Sequence, residues 1–234
     1  MAQPIAAVLF DFDGVIVNSE PVHCRAYLEI ARQEGINLTE AEYYRDLIGY
    51  DDRGAWAVVL QTHGRPVDEK KIEELTDRKT ILLQQIAHER RIPALPGVEA
   101  LVRGLREADV PLGICSGALR AEIELMLTGV GLREQFAVIT AAEDVDIGKP
   151  DPRGYVLTAK QLSEKSKREL KPADCLIVED APTVIHEVKK LGFPTLAVAS
   201  SYPPEKLDEA DWVVRSLRGE DVKKSVPPLR GILE

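Results

Sequence analysis

The sequence predicts an α/β protein whose core is a doubly wound parallel sheet, with an α-helical segment inserted into it. Two observations lead to this prediction. From about residue 95 onward, short apolar runs alternate with amphipathic stretches, as strands and helices do in a parallel α/β sheet. Residues 18 to about 93 instead show one helical pattern after another, with no strand-like run between them. The helical segment therefore interrupts the sheet after its first strand.

The candidate strands are short, rich in Val, Ile and Leu, and apolar on both faces. This composition is typical of strands that are covered by helices on both sides. "IAAVLFD", near residue 5, predicts the first strand, and its long apolar run favours a central place in the sheet. The other candidates are "VPLGICS" (110–116), "AVIT" (137–140), "CLIVED" (175–180), "PTLAVA" (194–199) and "DWVV" (211–214).

Amphipathic helices are predicted between these strands. One apolar face is formed by Val98, Leu101, Val102 and Leu105, and a second by Val184, Ile185, Val188 and Leu191. Gly192 is the expected end of the second helix. Strands that alternate with helices are joined by right-handed crossovers, which gives a Rossmann-like sheet with helices on both faces.

The inserted segment has helix signals of its own. Ser19 is expected to cap a helix that Gly35 ends, and Thr39 with Glu42 forms a capping-box pattern. "IPALPGV", at 92–98, contains two prolines and a glycine and reads as a hinge. The predicted division is a core of residues 1–17 and 95–234 and a helical cap of residues 18–94. Because the chain would cross between them only twice, the cap could move as a lid.

The composition and the charge of the chain argue against several classes of function. The chain has 234 residues, 44% of them hydrophobic, and a formal net charge of −9, which argues against binding to nucleic acid or to an anionic membrane surface. No segment approaches the roughly 20 apolar residues of a membrane span. The three cysteines are widely spaced and include no CxxC pair, so a reducing, cytoplasmic location is expected. The composition is compatible with a monomer or a small homo-oligomer.

Polar side chains follow four of the predicted strands, where an open α/β sheet binds its ligands. The carboxyl ends of parallel strands lie at one edge of the sheet, so these residues are expected to face a single crevice. They are Asp11, Asp13, Ser116, Lys149, Glu179 and Asp180, with Gly117 next to Ser116.

Clustered carboxylates repel one another unless a cation lies between them, and an all-oxygen ligand set suits Mg²⁺. Together with Lys149, such an ion would attract a dianion such as a phosphoryl group. Ser116 and the amides that follow it can hold phosphoryl oxygens. One carboxylate can then attack phosphorus, and a second can transfer the proton. Because residues i and i+2 of an extended chain point to the same side, the spacing of Asp11 and Asp13 suits this division.

The motifs "DFDGVIVNSE", "CSGAL", "GKPDP" and "VEDAP", in this order, resemble the four motifs of the haloacid dehalogenase superfamily. The resemblance covers residues 8 to 214 and is greatest to the phosphoglycolate phosphatase and β-phosphoglucomutase-like branch with a helical cap. It implies that Asp11 is the nucleophile and Asp13 the general acid and base. It further implies a Mg²⁺ ion on Asp11, the backbone carbonyl of Asp13, Asp180 and, directly or through water, Glu179, with the phosphate held by Ser116, Gly117 and Lys149.

The cap residues leave the substrate and the type of phosphoryl transfer open. His23 lies where the mutases carry a histidine involved in cap closure and acid/base control, and Arg53 falls one position from their cap arginine. Ile48, however, precedes Gly49 where the mutases have a lysine. We therefore expect a phosphatase of a small phosphorylated metabolite, with a sugar-phosphate mutase as the alternative. A non-catalytic module that binds a partner protein through its cap is a third hypothesis.

Overall fold

The fold is described from a computed structural model, which covers residues 5–48, 50–89 and 92–231. Gly49, which entered the comparison with the mutases, lies outside these residues. The chain forms two compact units. The first comprises the residues up to Asn18 and those from Ile92 on, and the second begins at Ser19 and comprises the residues between. They are called the core unit and the cap unit below.

The core unit contains a six-stranded parallel sheet, as the sequence predicts. Its strands lie in the order β3-β2-β1-β4-β5-β6, so β1 is central. Their bounds are β1 Ala7–Phe10, β2 Leu112–Cys115, β3 Val138–Thr140, β4 Cys175–Glu179, β5 Thr195–Val198 and β6 Trp212–Val214.

The α-helices of the described residues divide between the units. Those of the cap unit are α1 Glu20–Gln33, α2 Glu40–Glu42, α3 Asp52–Thr62 and α4 Glu69–Glu89. A π-helical turn over Tyr43–Leu47 continues α2. Those of the core unit are α5 Val98–Glu107, α6 Arg120–Val130, α7 Arg153–Ser166, α8 Pro182–Lys190 and α9 Gly219–Ser225. None of these helices is both long enough and apolar enough to cross a membrane.

The sheet is buried on both faces because its central strands β1, β2 and β4 are apolar at every position except Glu179, the last residue of β4. Ala7 and Leu9 of β1 pack with residues of α7 and α8 in one apolar cluster. Val8 and Phe10 point to the opposite face and are also fully buried. The strand order reverses between β1 and β4, and ligands of open α/β sheets bind at such a reversal.

The cap unit has an apolar core of its own, centred on aromatic side chains. The rings of Tyr27 and Trp56 lie 4.8 Å apart, and those of Tyr27 and Tyr43 lie 5.5 Å apart. The predicted capping box is confirmed, since Glu42 N donates to Thr39 Oγ1 and Thr39 N donates to the Glu42 carboxylate. Each of these contacts satisfies an amide that the first turn of a helix leaves unpaired.

Two local predictions are wrong. Ser19 precedes α1, but its side chain makes no capping hydrogen bond, because its backbone is helical rather than extended. A capping side chain needs the extended geometry to reach back to the helix amides. Leu191 does not share the buried face of α8, since the helix ends at Lys190 and the Leu191 side chain is exposed.

Candidate active site

Asp11 and the Glu179–Asp180 pair meet because their strands are neighbours in register. Phe10 of β1 pairs with Val178 of β4, so the next residues, Asp11 and Glu179, lie side by side where the two strands end. The amide of Asp11 donates to the carbonyl of Val178 at 2.9 Å. The three carboxylates are all buried. The sheet thus delivers them together at its strand-order reversal.

Lys149 joins two of these carboxylates. Its Nζ donates to Oδ1 of Asp11 at 2.5 Å and to Oε1 of Glu179 at 2.7 Å. The residue lies in the loop between β3 and α7 and is largely shielded from solvent. The ammonium also lies 4.9 Å from the centre of the Tyr155 ring. A positive charge is therefore fixed directly beside the proposed nucleophile.

Glu179 is held on both of its oxygens. Oε1 accepts from Lys149 and, at 3.2 Å, from the hydroxyl of Tyr155. Oε2 accepts from the backbone amides of Asp180 and Ala181, both at 2.8 Å. The side chain is fully buried. A buried carboxylate with this number of donors has a fixed position and a stabilised charge.

Asp180 packs against the turn that follows β1. Gly14 has a φ of +78°, and a Cβ on it would lie 1.9 Å from Oδ2 of Asp180. The same oxygen accepts a hydrogen bond from the hydroxyl of Ser201, while the hydroxyl of Ser200 donates to the Gly14 carbonyl at 2.5 Å. Gly14 is thus required for two reasons, its left-handed backbone and the close approach of Asp180.

The cluster contains more acidic than basic side chains, and burial and charge together shift the pKa values of several of its members. Burial raises the pKa of Asp11 well above its ordinary value, and the charges of Glu179 and Asp180 add to this effect against the opposing charge of Lys149. Burial and Glu179 raise the pKa of Asp180 to about 6. Burial would lower the pKa of Lys149, but Asp11 and Glu179 outweigh it, and the pKa is raised. Three carboxylates share one ammonium, so the site has an excess of negative charge.

The carboxylates have the geometry of a cation site. Asp11, Glu179 and Asp180 each offer an oxygen, and these atoms lie within 4.8 Å of one another. Opposite ligands of a Mg²⁺ ion are about 4.2 Å apart, since each bond is about 2.1 Å long. An all-oxygen, negatively charged donor set of this size fits a hard divalent cation.

The remaining predicted core residues lie at the same edge of the sheet. Ser116 directly follows β2, the neighbour of β1, and is buried, and its Oγ accepts from the amide of Ala118 at 3.0 Å. Gly117 is exposed, with open space where a Cβ would lie. Asp13 is half-buried in the turn after β1. Their roles in binding or proton transfer remain predictions.

His23 belongs to a partly buried polar cluster of the cap unit. Its Nδ1 lies 2.9 Å from Nζ of Lys79, which is 1% exposed and also donates to Asp52 at 2.9 Å. Tyr27 donates its hydroxyl to Asp52 at 2.7 Å. An ammonium cannot accept a hydrogen bond, so Nδ1 is the acceptor and the neutral ring carries its proton on Nε2. Burial and then the Lys79 charge lower the pKa of His23 to about 3, so the ring is neutral at pH 7.

Arg53 lies on the surface of the cap unit. It forms an ion pair with Glu69, and both side chains are more than half exposed. The guanidinium group of Arg53, which the sequence suggested as a contact for substrate, is thus paired with a carboxylate of the same chain. The role of Arg53 as a substrate contact remains a prediction.

Sequence reasoning missed Tyr155, Ser200, Ser201 and Lys79. The two serines follow β5 after Ala199, and the argument from strand ends applies to that strand as well. Lys79 occupies a core position of α4, whose other buried positions are Ile72, Leu75, Leu83 and Ile86. A lysine on the apolar face of a helix is the sequence feature that could have identified it. Tyr155 shows no such feature, because an aromatic residue on the apolar face of a helix predicts only an ordinary core position.

Comparison with curated proteins relates the chain to named phosphatases. It is 32% identical over 219 residues to hexitol phosphatase A of Escherichia coli K12, and the alignment covers 92% of this chain and 93% of that protein. It is 29% identical over 216 residues to validoxylamine A 7'-phosphate phosphatase of Streptomyces hygroscopicus subsp. limoneus, which covers 89% and 92%.

A solved structure has the same fold. CbbY from Rhodobacter sphaeroides, crystallised with phosphate, aligns with a TM-score of 0.82 at 22% identity over 97% of this chain and 99% of that one. The family model of the haloacid dehalogenase-like hydrolases matches residues 5–192. The resemblance inferred from the four motifs is confirmed. The chain therefore belongs to the haloacid dehalogenase-like hydrolases.

Proposed function

We propose that this hydrolase is a Mg²⁺-dependent phosphatase that cleaves a small phosphorylated metabolite through an aspartyl-phosphate on Asp11. The observation that carries the proposal is the buried contact of Asp11 with Lys149, beside Glu179 and Asp180. A carboxylate held by an ammonium at 2.5 Å is fixed in one orientation, and such positioning is a large part of catalysis. The similarity to named phosphatases supports the same reaction.

Asp11 is the proposed nucleophile. One of its oxygens attacks phosphorus, the P–O bond to the leaving group breaks, and the phosphoryl group is transferred to the carboxylate. Lys149 offsets the negative charge of the incoming phosphoryl group. Ser116 and the backbone after it, at the end of the neighbouring strand β2, are proposed to hold the other phosphoryl oxygens. Attack of water on phosphorus then releases phosphate and regenerates Asp11.

Asp13 is the proposed general acid and base. It protonates the leaving oxygen in the first step and accepts a proton from the attacking water in the second. Its position in the turn after β1, two residues beyond Asp11, supports this role. The alternation of one group between acid and base requires no second titratable residue.

The proposed metal ligands are Asp11, Asp180 and the backbone carbonyl of Asp13, with Glu179 acting through water. Both oxygens of Glu179 already accept hydrogen bonds within the protein, which favours the indirect contact. When bound, Mg²⁺ would offset the charge of the transferring phosphoryl group. The ion would also balance the three carboxylates that now share one lysine.

The proposed substrate is the phosphomonoester of a polyol or sugar. The name of hexitol phosphatase A gives a polyol phosphate as its substrate, and the name of validoxylamine A 7'-phosphate phosphatase gives another organic phosphate. Hydrolysis is preferred to a mutase reaction, because Ile48 stands before Gly49 where the mutases have a lysine. A mutase must hold a second phosphate, and an apolar residue supplies no charge for it.

The test is release of inorganic phosphate from a panel of hexitol phosphates, hexose phosphates, phosphoglycolate and nucleoside monophosphates. Release that depends on Mg²⁺, stops with chelator and is lost in Asp11→Asn supports the proposal. Asp109→Asn is the matched control, because it removes an exposed carboxylate paired with Arg168 at a positive φ that asparagine also tolerates. Release that survives both chelator and Asp11→Asn would refute it, and an isomerised product without phosphate would favour the mutase.

A further inference from the structure

The side chain of Tyr155 makes polar contacts that a core tyrosine does not need. It is fully buried in the first turns of α7, six residues after Lys149. Its hydroxyl lies 3.2 Å from Nζ of Lys149 and 3.2 Å from Oε1 of Glu179. The hydroxyl accepts from the ammonium, which has no lone pair, and donates to the carboxylate. It therefore hydrogen-bonds to both partners of the ion pair between Lys149 and Glu179.

The contacts of Lys149 show what the hydroxyl adds. An ammonium has three N–H donors, and those of Lys149 have three partners in the protein: Asp11, Glu179 and Tyr155. The ring of Tyr155, whose centre lies 4.9 Å from Nζ, adds a cation–π contact on the same side as the hydroxyl. The proton that Tyr155 donates to Glu179 also reduces the pull of that carboxylate on Lys149.

We propose that Tyr155 is a positioning residue that holds Lys149 over Asp11 and keeps it available to a phosphoryl group. The inference rests on the proposed phosphatase function. Without the hydroxyl, Glu179 would lose one donor and interact more strongly with the ammonium. The lysine would then bind an anion less well, although its own charge is unchanged.

The variant Tyr155→Phe removes the hydroxyl and keeps the ring. The affinity for inorganic phosphate, measured by calorimetry on the Mg²⁺-loaded protein without substrate, should fall about tenfold, as expected for loss of a hydrogen bond to a charged group. In steady-state assays, the same loss should appear in kcat/KM. The affinity for Mg²⁺ measured without phosphate should fall less than the affinity for phosphate, since in the described hydrogen bonds Tyr155 contacts neither of the proposed direct ligands Asp11 and Asp180, but only Glu179, whose proposed contact with the metal is through water.

Thr158→Val is the matched control. Thr158 lies one turn further along α7, is equally buried, and uses its hydroxyl on Thr140 and on the Gly154 carbonyl. The variant loses a buried hydroxyl of the same helix and should be destabilised like Tyr155→Phe, but its phosphate affinity should equal that of the wild type. Should Tyr155→Phe fail to fold, 4-fluorophenylalanine at this position fills the space of the hydroxyl without donating, and the same loss is expected.

Equal phosphate affinity in Tyr155→Phe, Thr158→Val and the wild type would overturn the inference and leave the phosphatase proposal intact. A wild-type protein that neither binds phosphate nor hydrolyses any phosphomonoester would overturn both. A tenfold loss confined to the position 155 variants would support both.

Discussion

Lys149 and Asp11 are separated by 138 positions in the chain, and their side chains meet at 2.5 Å in the interior of the core unit. The contact requires the parallel sheet, because Asp11 follows β1 and Lys149 lies in the loop after β3. Nothing in the local sequence of either residue brings them together. This ion pair is the structural basis of the phosphatase proposal.

Lys149→Met should lower kcat/KM by about 100-fold or more, because it removes the charge beside the nucleophile. It should also destabilise the metal-free protein by about 3 kcal/mol, since the buried carboxylates lose their counter-ion. Urea unfolding in chelator measures this loss. Lys190→Met, which removes an exposed lysine paired with Glu187, should change neither quantity. Equal stability of the two variants would contradict the electrostatic account.

Gly14→Ala should weaken Mg²⁺ binding. A Cβ there would lie 1.9 Å from Oδ2 of Asp180 and 2.9 Å from the hydroxyl of Ser201, so Asp180 must move. Gly131→Ala has nearly the same φ, +71°, with open space for its Cβ, and thus carries only the backbone penalty of about 1 kcal/mol. Calorimetry with Mg²⁺, or electron paramagnetic resonance with Mn²⁺, should show a loss of metal affinity in the first variant alone. The same affinity in both would mean that Asp180 does not bind the metal.

Lys79→Met should destabilise the protein by about 3 kcal/mol, because it leaves Asp52 without its buried cationic partner. Lys70→Met is the control, since Lys70 is an exposed lysine of the same helix. The double variant Lys79→Met/Asp52→Asn should recover part of the loss, because it removes the uncompensated charge as well. Additive losses in the double variant would show that the two residues do not interact.

His23 should make stability fall in acid. Its pKa is lowered to about 3 in the folded protein, against an ordinary value of about 6.5. Above pH 6.5 both states hold the ring neutral, so it contributes no pH dependence. As the pH falls from 6.5 towards 3, the unfolded state takes up a proton that the folded state does not, and the free energy of unfolding decreases by up to about 1.4 kcal/mol per pH unit.

His23→Asn tests this sign. Asparagine can place an oxygen near the position of Nδ1 and accept from Lys79, but it does not titrate. Urea unfolding of both proteins between pH 7.5 and 4.5 should give a smaller loss of stability for the variant, because the other titrating groups are common to both. Parallel pH profiles would mean that His23 has an ordinary pKa in the folded state.

The sequence predicted the sheet well because strand signals are local. The apolar runs near β1, β2 and β4 are long enough to identify buried strands, and the polar residues that follow them mark the ligand-binding edge. Asp11, Ser116 and Asp180 could be found in this way, whereas Lys149, in the loop after β3, was marked by the motif "GKPDP".

The contacts that hold these side chains in place could not be predicted, because they depend on packing between distant segments of the chain. Tyr155 and Glu179 meet through their hydroxyl and carboxylate only once α7 lies on the sheet. The ion pair of Arg53 with Glu69 depends on how two helices of the cap unit pack. Ser19 has the residue type of a cap, but the backbone angles at that position decide whether it acts as one.

Asp11 is proposed to form a covalent phosphoryl intermediate. Asp13→Asn should accumulate it with acetyl phosphate, a substrate whose good leaving group needs no acid, because the variant lacks the base for the second step. Acid quenching and borohydride reduction convert an acyl phosphate on aspartate to homoserine, which mass spectrometry locates in the peptide. We predict homoserine at position 11 when Mg²⁺ is present, and none in Asp11→Asn/Asp13→Asn. An unmodified Asp11 in Asp13→Asn, under conditions in which the wild-type protein hydrolyses acetyl phosphate, would contradict the account.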